Sequence, residues 1–266
     1  MVLASVWAAM DEAEAIFRDH VGAAPSVAKP GGDFATEADL AIERLLRERL
    51  GKSHPVFGEE AGGNIHEDLV WVVDPIDGTS NYSTGNPNCG IIVCLLDHGQ
   101  PAAAVISLPN FGIRVSAERG GPLQVTGRDH AAGLDEPRPY VSQVGFGSIV
   151  SPPDSRFPTR LRHQLLGELA AEYPRLRITG SVGVDLAFTA LGVFGGAVSF
   201  SPHVWDNAAG VLLVQAAGGV ATDLRGEPWQ PLSQGVLAGT SEVHQTLLAA
   251  VKATRTQSHP APPANS

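Results

Sequence analysis

Asp74-Pro75-Ile76-Asp77-Gly78-Thr79-Ser80-Asn81 follows directly on Leu69-Val70-Trp71-Val72-Val73, and the junction of these two runs decides how the chain is organised. The first run is apolar and mostly β-branched or aromatic, the composition of a buried strand. Such a strand delivers Asp74 at its end. Pro75 lacks a backbone donor and fixes φ, so regular pairing is expected to stop there. Gly78 permits a sharp turn, which leaves Asp77 and Thr79 close to Asp74. Carboxylates held this close repel unless a cation or a proton sits between them. Hard oxygen ligands around a small cavity suit Mg²⁺ or Mn²⁺ rather than zinc. A solvated Asp-Pro turn with a capping aspartate is the plainer reading of the same letters, so the other acidic motifs must be weighed with it.

There are two. Gly58-Glu59-Glu60 stands just past the short apolar segment His54-Pro55-Val56-Phe57, which reads as a strand. Trp205-Asp206-Asn207-Ala208-Ala209-Gly210 leads into an apolar, small-residue helix that ends near Gly218-Gly219. Asp206 fits the N-terminus of that helix, where a carboxylate accepts backbone N–H bonds. Taken singly, adjacent glutamates read as exposed surface and Asp206 as a cap.

Composition bounds the rest. With 266 residues, 43% of them hydrophobic, the chain can bury one large core or two intimate subdomains. A formal charge of -10 argues against a nucleic-acid footprint or attraction to anionic membranes, because both need a basic face. It would also repel an anionic substrate unless metal ions invert the local field. No run reaches the ~20 apolar residues of a membrane helix. Residues 1–17 carry Asp11, Glu12 and Glu14 and no basic start, unlike a signal peptide. Cys89 and Cys94 lie on one strand-like run and point to opposite faces, so they read as two buried free thiols. These features together predict a cytoplasmic enzyme.

The periodicity predicts helices over 2–20, 36–50, 156–172, 181–191 and 207–217, with a last one from Ser241. On the second, Ala41, Leu45, Leu46 and Leu50 are expected to form the apolar face. Strands are expected near 55–57, 69–73, 89–97, 101–107 and 112–117, with Asp97-His98-Gly99-Gln100 as a hairpin turn. Further strands fall at 140–144, 175–179, 197–200, 219–223 and 235–239. The class is α/β: an α+β half over 1–138, an α/β half over 139–253, and a Pro-containing disordered tail at 254–266.

In order and spacing, Gly58-Glu59-Glu60, D-P-I-D-G-T-S-N at 74–81 and W-D-N-A-A-G at 205–210 resemble the inositol monophosphatase family of Mg²⁺-dependent, lithium-sensitive phosphatases. Asp33-Phe34-Ala35-Thr36-Glu37-Ala38-Asp39 fits its N-terminal segment and Gly180-Ser181 its small-residue turn, so the resemblance spans roughly 25–240. It implies a layered α-β-α-β-α architecture with the site between two sheets, and a homodimer. It further implies two or three Mg²⁺ ions, with Mn²⁺ a substitute. Glu59, Asp74 and the carbonyl of Ile76 would hold one ion, Asp74, Asp77 and Asp206 a second, and Glu59 with waters a third. Water would be the nucleophile, activated by Thr79 and Asp39, although Asp39 also reads as a first-turn helix residue. Gly78, Thr79 and Ser80 would donate to phosphate, with Asp77 and Asp206 also facing substrate. Lys29 matches a family lysine or is a solvated loop residue; Glu60 is a further possible participant. Gly180-Ser181 reads equally as a helix cap or as a site for an anion or hydroxyl.

Two departures stand out. Seven residues before Asp206, where many family members have a glutamate that binds inositol hydroxyls, this chain has Ser199. The stretch 117–125 is shorter than the family's usual segment and is expected to uncover one wall of the cleft. The expected function is Mg²⁺-dependent hydrolysis of a small phosphorylated metabolite, with inositol monophosphate or another sugar or polyol phosphate first. Histidinol phosphate, fructose 1,6-bisphosphate and 3′-phosphoadenosine 5′-phosphate are rivals. A non-catalytic binding or assembly protein would be expected to have lost a metal ligand, and Glu59, Asp74, Asp77 and Asp206 are all present.

Overall fold

The computed structural model describes residues 2–29, 32–127, 143–153 and 155–257. Helices α1 (Val2–Asp19) and α2 (Glu37–Leu50) flank a two-stranded ribbon, β1 (Val27–Ala28) and β2 (Phe34–Ala35). A six-stranded sheet follows, in spatial order β3 (Val56–Gly58), β4 (Leu69–Asp77), β5 (Gly90–Asp97), β6 (Gln100–Leu108), β7 (Ile113–Glu118) and β8 (Gln124–Gly127). Only β3 and β4 pair in parallel; the other neighbours are antiparallel. The short helix α3 (Thr79–Ser83) lies between β4 and β5.

The second half carries β9 (Gln143–Phe146), α4 (Thr159–Glu172), β10 (Arg175–Arg177), α5 (Val182–Ala190), β11 (Gly196–Ser199), α6 (Val204–Ala216), β12 (Val220–Thr222), β13 (Val236–Gly239) and α7 (Ser241–Gln257). Its five strands are ordered β10-β9-β11-β13-β12. Three apolar cores show how the layers stack. Met10, Phe17, Ile42 and Leu46 of α1 and α2 pack on Trp71, Val73 and Val93. Val70, Val72, Ile92 and Cys94, from the other face of those strands, pack on α5 and α6, which meet the second sheet at Ala197 and Val236. Leu165 and Leu247 of α4 and α7 cover that sheet's outer face. The result is α-β-α-β-α. Because β4 and β5 are covered on both sides, they read as continuous apolar runs while alternate residues serve different cores. Cys89 and Cys94 are both buried free thiols and belong to opposite cores, as their spacing predicts.

Four expectations need correction. Pairing does not stop at Pro75: Asp74 faces Ile92 and Asp77 faces Gly90, so two residues of β4 oppose one of β5. Pro75 sits in that bulge, where its missing donor breaks no ladder bond. The buried face of α2 centres on Ile42 and includes Asp39 and Glu43, leaving Ala41 and Leu45 half-buried. Those two carboxylates disguised the face, since an apolar pattern does not count them. The stretch 117–125 spans the end of β7, a turn and the start of β8, the edge strand remote from β4. The last helix runs four residues into the expected tail, with Thr254 fully buried. The remaining tail, the connector at 136–139 and the first residues of the strand expected at 140–144 lie outside the described residues.

Helices α5 and α6 touch most closely at Gly210, where an added Cβ would lie 2.3 Å from Leu186 Cδ1 and 2.5 Å from its Cβ. Gly210→Ala gains about 1 kcal/mol of helix propensity. Overpacking at this contact outweighs that gain, and chemical denaturation should show a net loss of ~1–3 kcal/mol.

Candidate active site

The bulge that ends β4 turns both aspartates towards the seam between the sheets. Gly78 follows with φ +82°, and a Cβ there would lie 2.9 Å from Asn88 O and 3.2 Å from Ser181 Cβ, so only glycine lets the turn close against α5. Asn81 locks this contact by donating to Asn88 O at 2.7 Å and Thr179 O at 2.8 Å. One carboxylate oxygen each from Asp74, Asp77 and Asp206 then lie within 4.8 Å of one another. Asp206 comes from the first turn of α6 and Asp77 from β4, so the cluster spans both sheets' territory.

Asp77 is seated on the N-terminus of α5. Its carboxylate accepts from Gly183 N at 2.7 Å, from Val182 N at 3.2 Å and from the Ser181 hydroxyl. Ser181 Oγ also takes up Val184 N–H, so the serine caps the helix and binds the aspartate at once. Gly183 makes room: a Cβ there would be 2.8 Å from Asp77 Oδ2. The helix end expected to face substrate is therefore already taken by an internal anion.

Glu59 stands beside the three aspartates, its N–H bonded to Val73 O on β4 at 3.2 Å. Lys29 Nζ bridges Glu59 at 2.7 Å and Glu60 at 2.6 Å, so this lysine is no solvated loop residue. Burial opposes the Lys29 charge, but the two glutamates more than offset it and hold the ammonium protonated. Glu60 is nevertheless pushed up to about 7, by burial first, because it shares that one cation with Glu59 and faces Asp39. Glu43 accepts Glu60 N–H at 2.6 Å and Ala61 N–H at 2.9 Å, while Arg47 pairs with it at 2.8 Å. The Glu43–Arg47 pair thus ties the Glu59–Glu60 turn to α2.

Asp39 sits in the first turn of α2 and also reaches Thr79. Its Oδ2 accepts Thr36 N–H at 2.8 Å as part of the α2 cap, and its Oδ1 faces Thr79 Oγ1 at 3.2 Å. The Thr79 hydroxyl is also 3.0 Å from Ile76 O. Ser80 and Gly180 line the cleft, whereas Ser199 does not: it is buried and its hydroxyl takes up Ser201 N–H at 3.2 Å. The cleft has a volume of about 770 Å³. Glu59, Asp74, Asp77 and Asp206 line its acidic part, and Ser148, Val150 and Ser151 also line it. No residue of the 117–125 stretch lines it, so that hairpin does not shape a wall of this cleft.

The electrostatics call for a cation. Burial, then Glu59, Asp77 and Asp206, drives the Asp74 carboxyl well above the usual carboxylate range. Asp206 is driven the same way by burial and Asp77. Asp77 is raised to about 6 by burial, less than the others because Ser181, Gly183 and Val182 bond its charged form. Asp74 Oδ1 is buried without a hydrogen-bond partner, an orphan that a metal ion would satisfy. A hard all-oxygen donor set with buried, mutually repelling carboxylates fits a divalent metal.

The sequence over residues 2–256 matches the model of the inositol monophosphatase family. The chain belongs to that family. It is 47% identical over 232 residues to the inositol-1-monophosphatase ImpA of Mycolicibacterium smegmatis, covering 86% of this chain and 84% of that protein. It is 45% identical over 244 residues to a probable inositol 1-monophosphatase ImpA of Mycobacterium tuberculosis, covering 91% and 90%. The crystal structure of the extragenic suppressor protein suhB from Bartonella henselae superposes with a TM-score of 0.82 at 26% identity, covering 94% of this chain and 98% of that one. Membership makes this protein a phosphoric monoester hydrolase of a metal-dependent family, and the acidic cluster is where a metal fits.

Sequence reasoning missed four residues of this inositol monophosphatase family member's cleft and its supports: Glu43, Arg162, Asp185 and His203. Asp185 is buried below the cleft, raised well above the usual range by burial, and accepts from Thr179 Oγ1 at 2.8 Å. His203 stacks on Trp205 at 4.5 Å beside Asp206. The spacing of Glu43 four residues after Asp39 was the one available signal, since i, i+4 carboxylates share a helix face.

Metal removal should expose the repulsion. A raised carboxyl pKa means the folded protein holds the proton more tightly than the unfolded chain. The Asp77 contribution is then complete below 3.8 and is lost as pH rises through about 6, with Asp74 and Asp206 extending the loss upward. In thermal melts, the Tm gain on adding Mg²⁺ to metal-free protein should be larger at about pH 7.5 than at about pH 5. The Mg²⁺ increment isolates the cluster, because Glu14 is shifted the opposite way: its partners Arg114 and Ser107 outweigh burial. Equal increments at both pH values would contradict this account.

Proposed function

We propose that the protein hydrolyses a small phosphate monoester with Mg²⁺ as the metal, and that inositol monophosphate or a related polyol phosphate is its substrate. The orphaned, buried Asp74 carboxylate among Asp77, Asp206 and Glu59 carries this reading. The names of the two ImpA relatives support the substrate class. Glu59, Asp74, the Ile76 carbonyl, Asp77 and Asp206 are the residues that would hold Mg²⁺, with Mn²⁺ as a substitute. Bound there, the metal neutralises phosphate charge, lowers the pKa of water and stabilises the leaving alkoxide.

The chain's own groups supply orientation and proton handling. Thr79 Oγ1, held between Asp39 and Ile76 O, is placed to orient the attacking water, and Asp39 to accept its proton through that hydroxyl. The backbone and hydroxyl donors of Gly78, Thr79 and Ser80 face the phosphate oxygens. Lys29 holds Glu59 and Glu60 in place and partly balances a strongly acidic cleft. Ser199, with its hydroxyl engaged by Ser201 and no access to the cleft, gives a polyol no acceptor, so selection falls to other walls.

Phosphate release from a panel of phosphomonoesters, with and without Mg²⁺, tests the reading; no hydrolysis of any member would refute it. Asp74→Asn and Asp206→Asn keep side-chain volume and remove charge. Each should retain the fold by circular dichroism and lower kcat by at least about two orders of magnitude.

Lithium gives a separate check. Li⁺ is small and hard, with half the charge of Mg²⁺, and suits the same oxygen donors. Millimolar Li⁺ should inhibit phosphate release, more strongly as phosphate product accumulates. Indifference to it would point to a different arrangement around Asp77 and Asp206.

A further inference from the structure

Arg162 is a buried cation that pairs with no carboxylate among the described residues. It projects from α4, is 2% exposed, and burial alone lowers it to about 10. Its donors are distributed over one segment of chain. Nε bonds Phe157 O at 2.8 Å, Nη1 bonds Ser148 O at 2.7 Å and Val150 O at 3.0 Å, and Nη2 bonds Ser155 Oγ at 3.2 Å. The guanidinium also lies 4.6 Å from the centroid of the Phe200 ring, which stacks on Phe157 at 5.1 Å. Burying such a charge among neutral carbonyls is expensive unless nearly every donor is used, and here a lysine could not reach all four partners at once.

The segment held this way forms one wall of the cleft. Ser148, Val150 and Ser151 line the same cleft as the carboxylate cluster, and Val150 is 72% exposed. An exposed valine on a cavity wall presents an apolar surface that a bound organic group would cover. The phosphate is fixed at the acidic end in the reading above, so what meets this wall is the leaving group.

We propose that Arg162 is a positioning residue for specificity: by pinning residues 148–150 through their carbonyls, it shapes the wall that holds a ring-sized polyol leaving group. The inference rests on the proposed phosphatase reading. A leaving group too small to span the cleft gains little from the wall. A cyclic polyol gains contact with Val150 and Ser148. Loosening the wall therefore weakens binding of the large substrate without touching the groups around the phosphate.

The test compares Arg162→Met, which keeps the stem and removes every donor, with Arg162→Lys and with Ser155→Ala, using inositol 1-phosphate and glycerol 2-phosphate. Arg162→Met should raise KM for inositol 1-phosphate about tenfold with kcat changed less than about threefold, so that the preference over glycerol 2-phosphate falls by about an order of magnitude. Arg162→Lys should restore part of that preference. Limited trypsin digestion should show a new cut after the exposed Arg156 in Arg162→Met at unchanged Tm. If Arg162→Met does not fold, Ser155→Ala decides: a smaller KM rise in the same direction and faster cutting at Arg156 support the proposal. An unchanged substrate preference with an unchanged digest overturns it, as does equal loss of kcat on both substrates. A wild-type protein that cleaves neither substrate nor any other phosphomonoester of the panel overturns the phosphatase reading instead, and the digest still reports whether Arg162 holds the wall.

Discussion

Repulsion among Glu59, Asp74, Asp77 and Asp206 is the constraint on which the other features of this structure depend. Burial raises the cost of each negative charge, and clustering raises it again. A loose scaffold would relieve the strain by letting the carboxylates separate. This one does not, because each is tied to an element that the cores hold fixed. Asp74 and Asp77 end a strand covered on both faces, and Asp206 opens a helix packed between the sheets.

The supports around the cluster favour its charged form at some positions. Asp77 is bonded by two backbone N–H groups and a hydroxyl, so α5 and Ser181 act as a fixed partial positive charge beside it. That is why its pKa is raised less than those of its neighbours. Glu59 is approached by a real charge, Lys29, which also engages Glu60. Among the described residues of the cluster, Asp74 has a buried oxygen, Oδ1, without a hydrogen-bond partner. The protein bonds Asp77 and Glu59 and leaves this oxygen for a cation.

Much of this was legible in the chain. The apolar, β-branched and aromatic run 69–73 and the acidic residues at its end identified β4 and its cargo, and the family resemblance carried by the three motifs implied the layers. What escaped has a common physical cause. Glu43 and Arg162 are charged residues on buried helix faces, and a hydrophobic pattern counts each as outward. Their roles depend on carbonyls and N–H groups that the fold brings to them from other elements, which no local spacing encodes. Pro75 misled in the opposite sense: a residue that ordinarily ends pairing here occupies a bulge, and the bulge is what swings Asp77 towards α5. Ser199 was read as standing where many family members have an acid, and as a residue facing substrate. Its place behind the cleft, with its hydroxyl already engaged, became visible only once β11 and the turn to Ser201 were in place.

The two parts of the cleft are built on different principles, and this bears on how one family can serve several substrates. The acidic end is assembled from strand ends and helix N-termini, where glycine at 78 and 183 permits approaches that a Cβ would block. The wall that includes Ser148 and Val150 is a connection between β9 and α4, held chiefly by one guanidinium and by the mutual bonds of Ser151 and Thr159. Loops tolerate substitution because few packing contacts depend on them. On the proposed reading, changing the wall would alter which leaving group fits and changing the acidic end would remove the chemistry, so selection for a new phosphate ester would act most readily through the segment that Arg162 holds.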